Sequence, residues 1–287
     1  MDIKHRFLAS LYHPLRFQNS LLRLLPTQRA ARLRVLLYHD IVPTEVCQFA
    51  SQIRWLSQSW RFITPEQFAA IILHGVEIKE DCLLLTFDDG FISNRHVAET
   101  VLNPMGIKAL FFVVSEFVDL SELSDWRLFV SSYIFPSLRP QEIPSHWKNM
   151  SWDDLIFLQE TGHSIGAHTA YHHRLSQMED KDLVNEIVLG ADVLEQKLGT
   201  RVRHFAYPFG DLASFSSTAL AISRTRFDFI YTNLRGSNCL SVSPWAIRRD
   251  CIAAKDSLSL VGSLLEGGAD FLYKRSLASY ESWGKVF

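Results

Sequence analysis

Two neighbouring carboxylates close an apolar run in Leu83-Leu84-Leu85-Thr86-Phe87-Asp88-Asp89-Gly90. The run has the character of a buried strand, and acids at the end of such a strand are costly unless they do work. Consecutive strand residues face opposite sides, so Asp88 and Asp89 take different jobs unless the chain has already turned. One would bind a metal and the other would move a proton. Taken alone, Asp-Asp-Gly is equally an ordinary turn signal.

A second cluster changes that balance. Gly162-His163-Ser164-Ile165-Gly166-Ala167-His168-Thr169-Ala170-Tyr171-His172-His173 carries His168 and His172 four apart, a familiar spacing for two imidazoles on one metal. The helical version of that motif has Glu directly after the first His, and it is missing here. The pair therefore belongs on a strand end and the turn after it; by itself it reads equally as surface histidines in a polar loop. Two histidines with a carboxylate, however, make the ligand set of an open catalytic site. A third cluster, His204-Phe205-Ala206-Tyr207-Pro208-Phe209-Gly210, is another strand ending in a Pro/Gly turn. Such a turn can aim backbone N–H groups at a developing oxyanion, although the pattern alone is more often a packed turn.

With these three strand ends in this order, the chain resembles the polysaccharide deacetylases with a NodB-type domain, carbohydrate esterase family 4. Thr86-Phe87-Asp88-Asp89-Gly90 and His168-Thr169-Ala170-Tyr171-His172 are similar to the family's first two motifs without a mismatch. The resemblance implies that Asp88 is the general base and that Asp89, His168 and His172 hold a divalent metal. Zinc is the first expectation, and the donor set also accepts cobalt, nickel or iron. Thr169 would brace the His-bearing loop. Backbone N–H near Phe209, beside Tyr207, would serve the oxyanion and substrate. The third motif departs from the family pattern, because its Arg, which orients the catalytic carboxylate, is absent. Arg248 or Arg249 would replace it from another strand; their plainer reading is an exposed strand end.

The family's last motif supplies a His as general acid near the C-terminus, and no His follows residue 204 here. Val35-Leu36-Leu37-Tyr38-His39-Asp40 looks like that motif moved to the front. A barrel tolerates the move, because its first and last strands are neighbours. This resembles the branch that contains the poly-N-acetylglucosamine deacetylases, and it makes His39 the acid. The alternative is a His that closes a buried strand and bonds to Asp40.

The elements that must position these groups alternate strand and helix signals. Expected strands are 34–38, 61–63, 82–87, 108–114, 163–168, 203–207, 228–232 and 246–252; expected helices are 47–59, 65–73, 94–103, 151–161, 179–197, 214–224 and 256–266. The fold class implied is α/β: a distorted parallel (β/α)7-type barrel, NodB-like, as a single domain with an N-terminal helical arm. The arm covers 1–34, the deacetylase domain 35–270 with an aromatic insertion at 119–150, and a C-terminal tail 271–287. Trp126, Tyr133, Phe135 and Trp147 of the insertion suit the apolar faces of a sugar, or simply pack. Ser151 is an expected N-cap with Asp153 and Asp154 in the first turn.

A chain of 287 residues with 47% hydrophobic and 21% charged residues is globular, and a net charge of −2 argues against general nucleic-acid binding. Cys47, Cys82, Cys239 and Cys251 form no close metal-type pair; Cys82 and Cys251 read as buried free thiols. The start lacks the apolar core of a signal peptide, and no run has the length of a membrane span. The expectation is a cytoplasmic protein acting on a lipid-linked or nucleotide-linked precursor. In the arm, Lys4, Arg6, Arg16, Arg23, Arg29, Arg32 and Arg34 stand against one acid, Asp2. Ile3, Phe7, Leu8, Leu11 and Leu15 recur at helical spacing, with Leu21, Leu22, Leu24 and Leu25 following and Pro14 and Pro26 dividing the segment. Such an arm lies on an anionic membrane as a peripheral contact, or packs on the barrel with a solvated basic face.

The function expected is metal-dependent removal of N-acetyl groups from an N-acylated amino-sugar glycan or its precursor. Removal of another acyl group, such as formyl, from a lipid-linked amino sugar is the alternative within hydrolases. A non-catalytic glycan-binding barrel is the alternative outside them.

Overall fold

Most apolar runs become strands buried along their whole length, as parallel strands covered by helices must be. The computed structural model describes residues 3–23, 31–238 and 242–284; the expectations for Leu24, Leu25, Pro26, Arg29 and Cys239 lie outside them. Helices α1 (Ile3–Ser10) and α2 (Tyr12–Arg23) precede β1 (Leu33–Tyr38). Then follow α3 (Val46–Leu56), β2 (Arg61–Phe62), α4 (Pro65–His74), β3 (Cys82–Phe87), α5 (Ile92–Val97) and β4 (Ala109–Val113). After α6 (Leu123–Phe129) come α7 (Trp152–Glu160), β5 (Ser164–Ala167), α8 (Asp180–Val184), α9 (Gly190–Leu198) and β6 (His204–Ala206). The chain ends with α10 (Ser217–Arg226), β7 (Phe229–Tyr231), β8 (Asp250–Cys251), α11 (Leu258–Leu265) and α12 (Lys274–Trp283).

All strand pairs are parallel, in the order β7-β6-β5-β4-β3-β1-β8, with β2 beside β3. A parallel bridge from Tyr231 to Ile247 leads β7 back to the segment before β8, which closes the ring. The first and last strands are therefore neighbours: Leu36 pairs with Asp250 and Leu37 with Cys251. This is the curled parallel barrel that the motif order implied.

Strand alternation sorts side chains between two cores. On β3, Leu83, Leu85 and Phe87 face the helices, while Cys82 and Leu84 face the barrel interior. Phe68 of α4 joins the interior against Phe229 and Tyr231. A third cluster, built around Phe91, Phe117, Trp126 and Phe129, organises the 119–150 segment. That segment is thus folded, with α6 at its start. Trp126 is 3% exposed and is a core residue, not a sugar platform.

Both terminal segments pack on the barrel. Tyr12 packs so closely on α11 that a Cβ at Gly262 would collide with its ring. Arg32 pairs with Asp81 and Glu266. Arg34, 1% exposed, pairs with Asp250 and Asp270. Neither arginine belongs to a solvated basic face. Residues 274–283 form α12, whose Leu277 and Tyr280 are buried and whose Tyr280 hydroxyl donates to the Trp245 carbonyl at 2.6 Å. The expected helix over 179–197 runs as α8, one wide turn (Asn185–Leu189) and α9. Among the described residues no helix is long and apolar enough to cross a membrane.

Candidate active site

Parallel register does most of the positioning. Tyr38 on β1 pairs with Phe87 on β3, so the next residues, His39 and Asp88, leave the sheet side by side. The Asp88 N–H donates to the Tyr38 carbonyl at 3.0 Å. Val113 pairs with Ala167, and the His168 N–H donates to Val113 at 2.9 Å. Strand ends from β1, β3, β5 and β6 thus meet at one rim, the C-terminal end of a parallel barrel, where such folds build active sites.

The chain has already turned at Asp89, whose φ is 76°. Alternation stops there, so both carboxylates reach the same side. Thr169, His172 and Phe209 also lie at positive φ, at 65°, 64° and 62°; among the described non-glycine residues only Asp119 joins them. Such conformations persist where surrounding contacts over-determine them, and they concentrate at functional sites. Thr169 shows how: its Oγ1 accepts the His172 N–H at 2.9 Å, and its carbonyl accepts the Ser115 N–H at 3.2 Å. Buried Glu186, on the wide turn, accepts the Tyr171 N–H at 3.1 Å and lies 2.9 Å from His173 Nδ1. A wide turn inside a helix is frequently a functional adaptation.

Asp89, His168 and His172 offer ligand atoms within 4.8 Å of one another, all buried. Asp89 Oδ1 lies 3.6 Å from His168 Nε2 and 3.5 Å from His172 Nε2. Each histidine commits Nδ1 to a carbonyl: His168 to Ala206 at 2.8 Å, His172 to Tyr133 at 3.2 Å. A carbonyl only accepts, so each Nδ1 carries the proton and each Nε2 turns a lone pair inward, the usual arrangement behind a metal-ligating imidazole. Burial holds His172 down to about 4, although Asp89 works the other way. It is therefore neutral at pH 7. Burial opposes charge on Asp89, yet the surrounding histidines, protonated His39 among them, outweigh it and hold the carboxyl well below its ordinary range. Asp89 Oδ1 is buried without a hydrogen-bond partner. A lone carboxylate oxygen facing two imidazole lone pairs fits a divalent cation.

Asp88 is gripped by Arg249. Nη1 donates to Oδ1 at 2.6 Å and Nη2 to Oδ2 at 2.8 Å, while Nε donates to the Thr232 carbonyl at 3.0 Å. Arg249 is 1% exposed, so the exposed-strand-end reading fails for it. Arg248 points elsewhere, to Glu281 at 3.0 Å and the Ser237 carbonyl at 3.1 Å, and does not orient Asp88. Neighbours along extended chain face opposite ways, which explains why only one of the two reaches the site.

His39 does not bond to Asp40. That carboxylate is taken by Ser93 at 2.6 Å, Trp147 Nε1 at 2.8 Å and His146 at 3.2 Å. The partner of His39 is Cys251, whose sulfur lies 3.9 Å from Nδ1. Cys251 is half-buried and beside the site, not an inert core thiol. Burial disfavours charge on His39, but Cys251, Asp89 and Asp88 outweigh it and raise the imidazole to about 10. Burial pushes the Cys251 thiol up, yet His39 and Arg235 prevail and lower it.

Tyr207 is a correction. It shares the outer side of β6 with Phe205, stacks on Phe215 at 4.0 Å and is 1% exposed, so its side chain cannot meet a substrate at the rim. Phe209 does face the site: its ring lies 4.7 Å from that of His172, with the Arg174 guanidinium over it at 4.2 Å from the ring centre. Its N–H donates to no group among the described residues. Sequence reasoning missed Tyr133, Glu186 and Cys251. Tyr133 acts through a backbone carbonyl, which leaves no sequence signal. Glu186 looks like any helix-surface acid. Cys251, two residues beyond Arg249 on β8, was the one that register with β1 could have found.

A family model described as polysaccharide deacetylase matches residues 75–225. The chain is 21% identical over 248 residues to YxkH of Bacillus subtilis (strain 168), whose name describes it as a polysaccharide deacetylase; the match covers 84% of this chain and 78% of that one. Two solved structures share the fold. IcaB from Ammonifex degensii superposes with a TM-score of 0.67 at 24% identity, over 83% of this chain and 98% of that chain. The Streptococcus pyogenes deacetylase PplD, in complex with acetate, gives 0.64 at 20% identity, over 83% and 99%.

Proposed function

Because the chain belongs to the polysaccharide deacetylase family, we propose that it hydrolyses the N-acetyl group of an amino sugar in a glycan, with Asp88 as base and His39 as acid. A divalent cation held by Asp89, His168 and His172 would supply a Lewis acid that polarises the acyl carbonyl and acidifies water. The protein's own groups do the rest. Arg249 occupies both oxygens of Asp88 yet leaves each a further lone pair, so the carboxylate keeps one direction in which to take a proton from water. The Phe209 N–H, which donates to no group among the described residues, would be the donor for the oxyanion. His39, held protonated, stands beside Asp88 to give its proton to the departing amine.

The observation that carries this reading is the Arg249 grip on Asp88. A site without the motif arginine would lack a group to orient its base, and Arg249 makes that contact from the segment just before β8. Acetate release from N-acetylated glucosamine oligomers, by metal-loaded wild type and Asp88→Asn, tests it. Release by the wild type that falls on the order of 10²–10⁴-fold in the variant is expected. No release by metal-loaded wild type from any N-acylated glycan, or equal release by both, would overturn it.

A further inference from the structure

A groove of about 520 Å³ opens beside His39 and Cys251 and runs out between α1 and the turn Asp270–Tyr273. Lys4 and Leu8 line one bank and Leu272 lines the other. Its floor is apolar, with Leu260 and Leu264 of α11. The volume is that of a ligand site, yet its deep end is the proposed proton donor.

The banks carry apolar side chains that nothing in the fold covers. Ile3 is 83% exposed and Phe7 64%; Phe271 and Leu272 are each 62% exposed. With Phe17 of α2 at 68%, these are the five most exposed large apolar residues among those described. Four of the five lie on α1 and the turn that frame the groove, so the exposure is concentrated there. Cations surround them. Lys4 and Arg6 on α1, Lys255 at the groove, and Lys274 and Arg275 after the turn have no ion pair among the described residues. The acids nearby are engaged: Asp270 by Arg34, Asp256 by the Ala253 N–H, and Glu266 by Arg32. Exposed aromatic and aliphatic groups among unpaired cations match an anionic lipid surface, with its apolar interior below a negative headgroup layer.

We propose that this face, α1 together with the turn Asp270–Tyr273, docks on an anionic lipid bilayer. Docking stands on the surface alone; its consequence, that the groove takes the apolar carrier of a lipid-linked amino sugar, rests on the site being a deacylase.

Flotation of the metal-loaded full chain with phosphatidylcholine vesicles, with and without phosphatidylglycerol, tests it. Removing the arm is a poor test, since Tyr12 covers α11. Paired exposed substitutions, Ile3→Ser with Phe7→Ser and Phe271→Ser with Leu272→Ser, leave the core intact. The wild type is expected to float with the anionic vesicles, less so at high salt, and not with phosphatidylcholine alone. Each apolar pair, and Lys4→Glu with Arg6→Glu, is expected to lower binding roughly tenfold or more. Ile3→Ser with Phe7→Ser, which line neither the groove nor the site, should keep wild-type acetate release from a soluble N-acetylated oligomer. Absence of flotation would overturn the docking. So would a dimer in lipid-free sedimentation that Phe7→Ser dissolves, because a second copy would then cover the face. Flotation without any acyl release would leave docking standing and remove the deacylase reading.

Discussion

Arg249 holds both carboxylate oxygens of Asp88 from a position 161 residues further along the chain, and both side chains are almost fully buried. The pair couples stability to catalysis. A buried charge stripped of its partner costs about 3–5 kcal/mol, whereas removing both charges can be nearly neutral. Arg249→Met should therefore destabilise the fold by about that amount in urea unfolding, and Asp88→Asn with Arg249→Met should recover most of it. Additive losses would contradict a direct pair.

Arg249→Lys tests orientation apart from charge. Lysine offers a point charge and no fork, so Asp88 keeps a cation but loses its fixed direction. The expected result is a large fall in kcat with KM and metal content little changed, measured in steady state on N-acetylated oligomers.

Metal content should follow the ligand set. His168→Ala or Asp89→Ala should purify without the cation that wild type retains, by elemental analysis, and chelation of the wild type should abolish acyl release reversibly. Asp88→Asn should keep the metal while losing activity. A metal-replete His168→Ala would exclude the proposed centre.

Cys251 should set the alkaline limb of the pH profile. His39 works as an acid only while protonated, and Cys251 is the first group that raises it against burial. Cys251→Ala should therefore shift the alkaline fall of kcat/KM to lower pH, and His39→Ala should remove that limb together with most activity.

His163 should make the fold acid-sensitive. Its Nδ1 accepts the Ala109 N–H at 3.0 Å, so a proton there breaks a strand contact. Burial, with Lys108, lowers it to about 4. A depressed histidine contributes stability that is complete above its unfolded value near 6.5 and is lost as pH falls from there to about 4. The loss approaches about 3 kcal/mol. Comparing urea midpoints at pH 7 and pH 5, wild type should fall further than His163→Gln.

The sequence carried the ligands and the base because their chemistry needs particular side chains at strand ends. Asp89, His168 and His172 do converge, and the motif at His39 does sit between β3 and β8. It was blind where function passes through backbone or through distant register. The turn at Asp89 is a dihedral, and the Tyr133 contribution is a carbonyl. The choice between Arg248 and Arg249 depended on which one the barrel closure points inward. Tyr207 misled because a Tyr in a Pro/Gly turn looks the same whether it faces the rim or the helices. The termini misled because Arg32 and Arg34 look solvated until Asp81, Glu266, Asp250 and Asp270 are found around them.

That last cluster acts as a jig. Arg34 joins Asp270, next to Phe271, to Asp250, which lies between Arg249 and Cys251 in the chain. These ion pairs tie the outer turn to the start of β8, directly after the arginine that grips Asp88. Under the proposed docking, the bilayer against Phe271 and Leu272 would therefore be tied through Arg34 to the segment that orients the base.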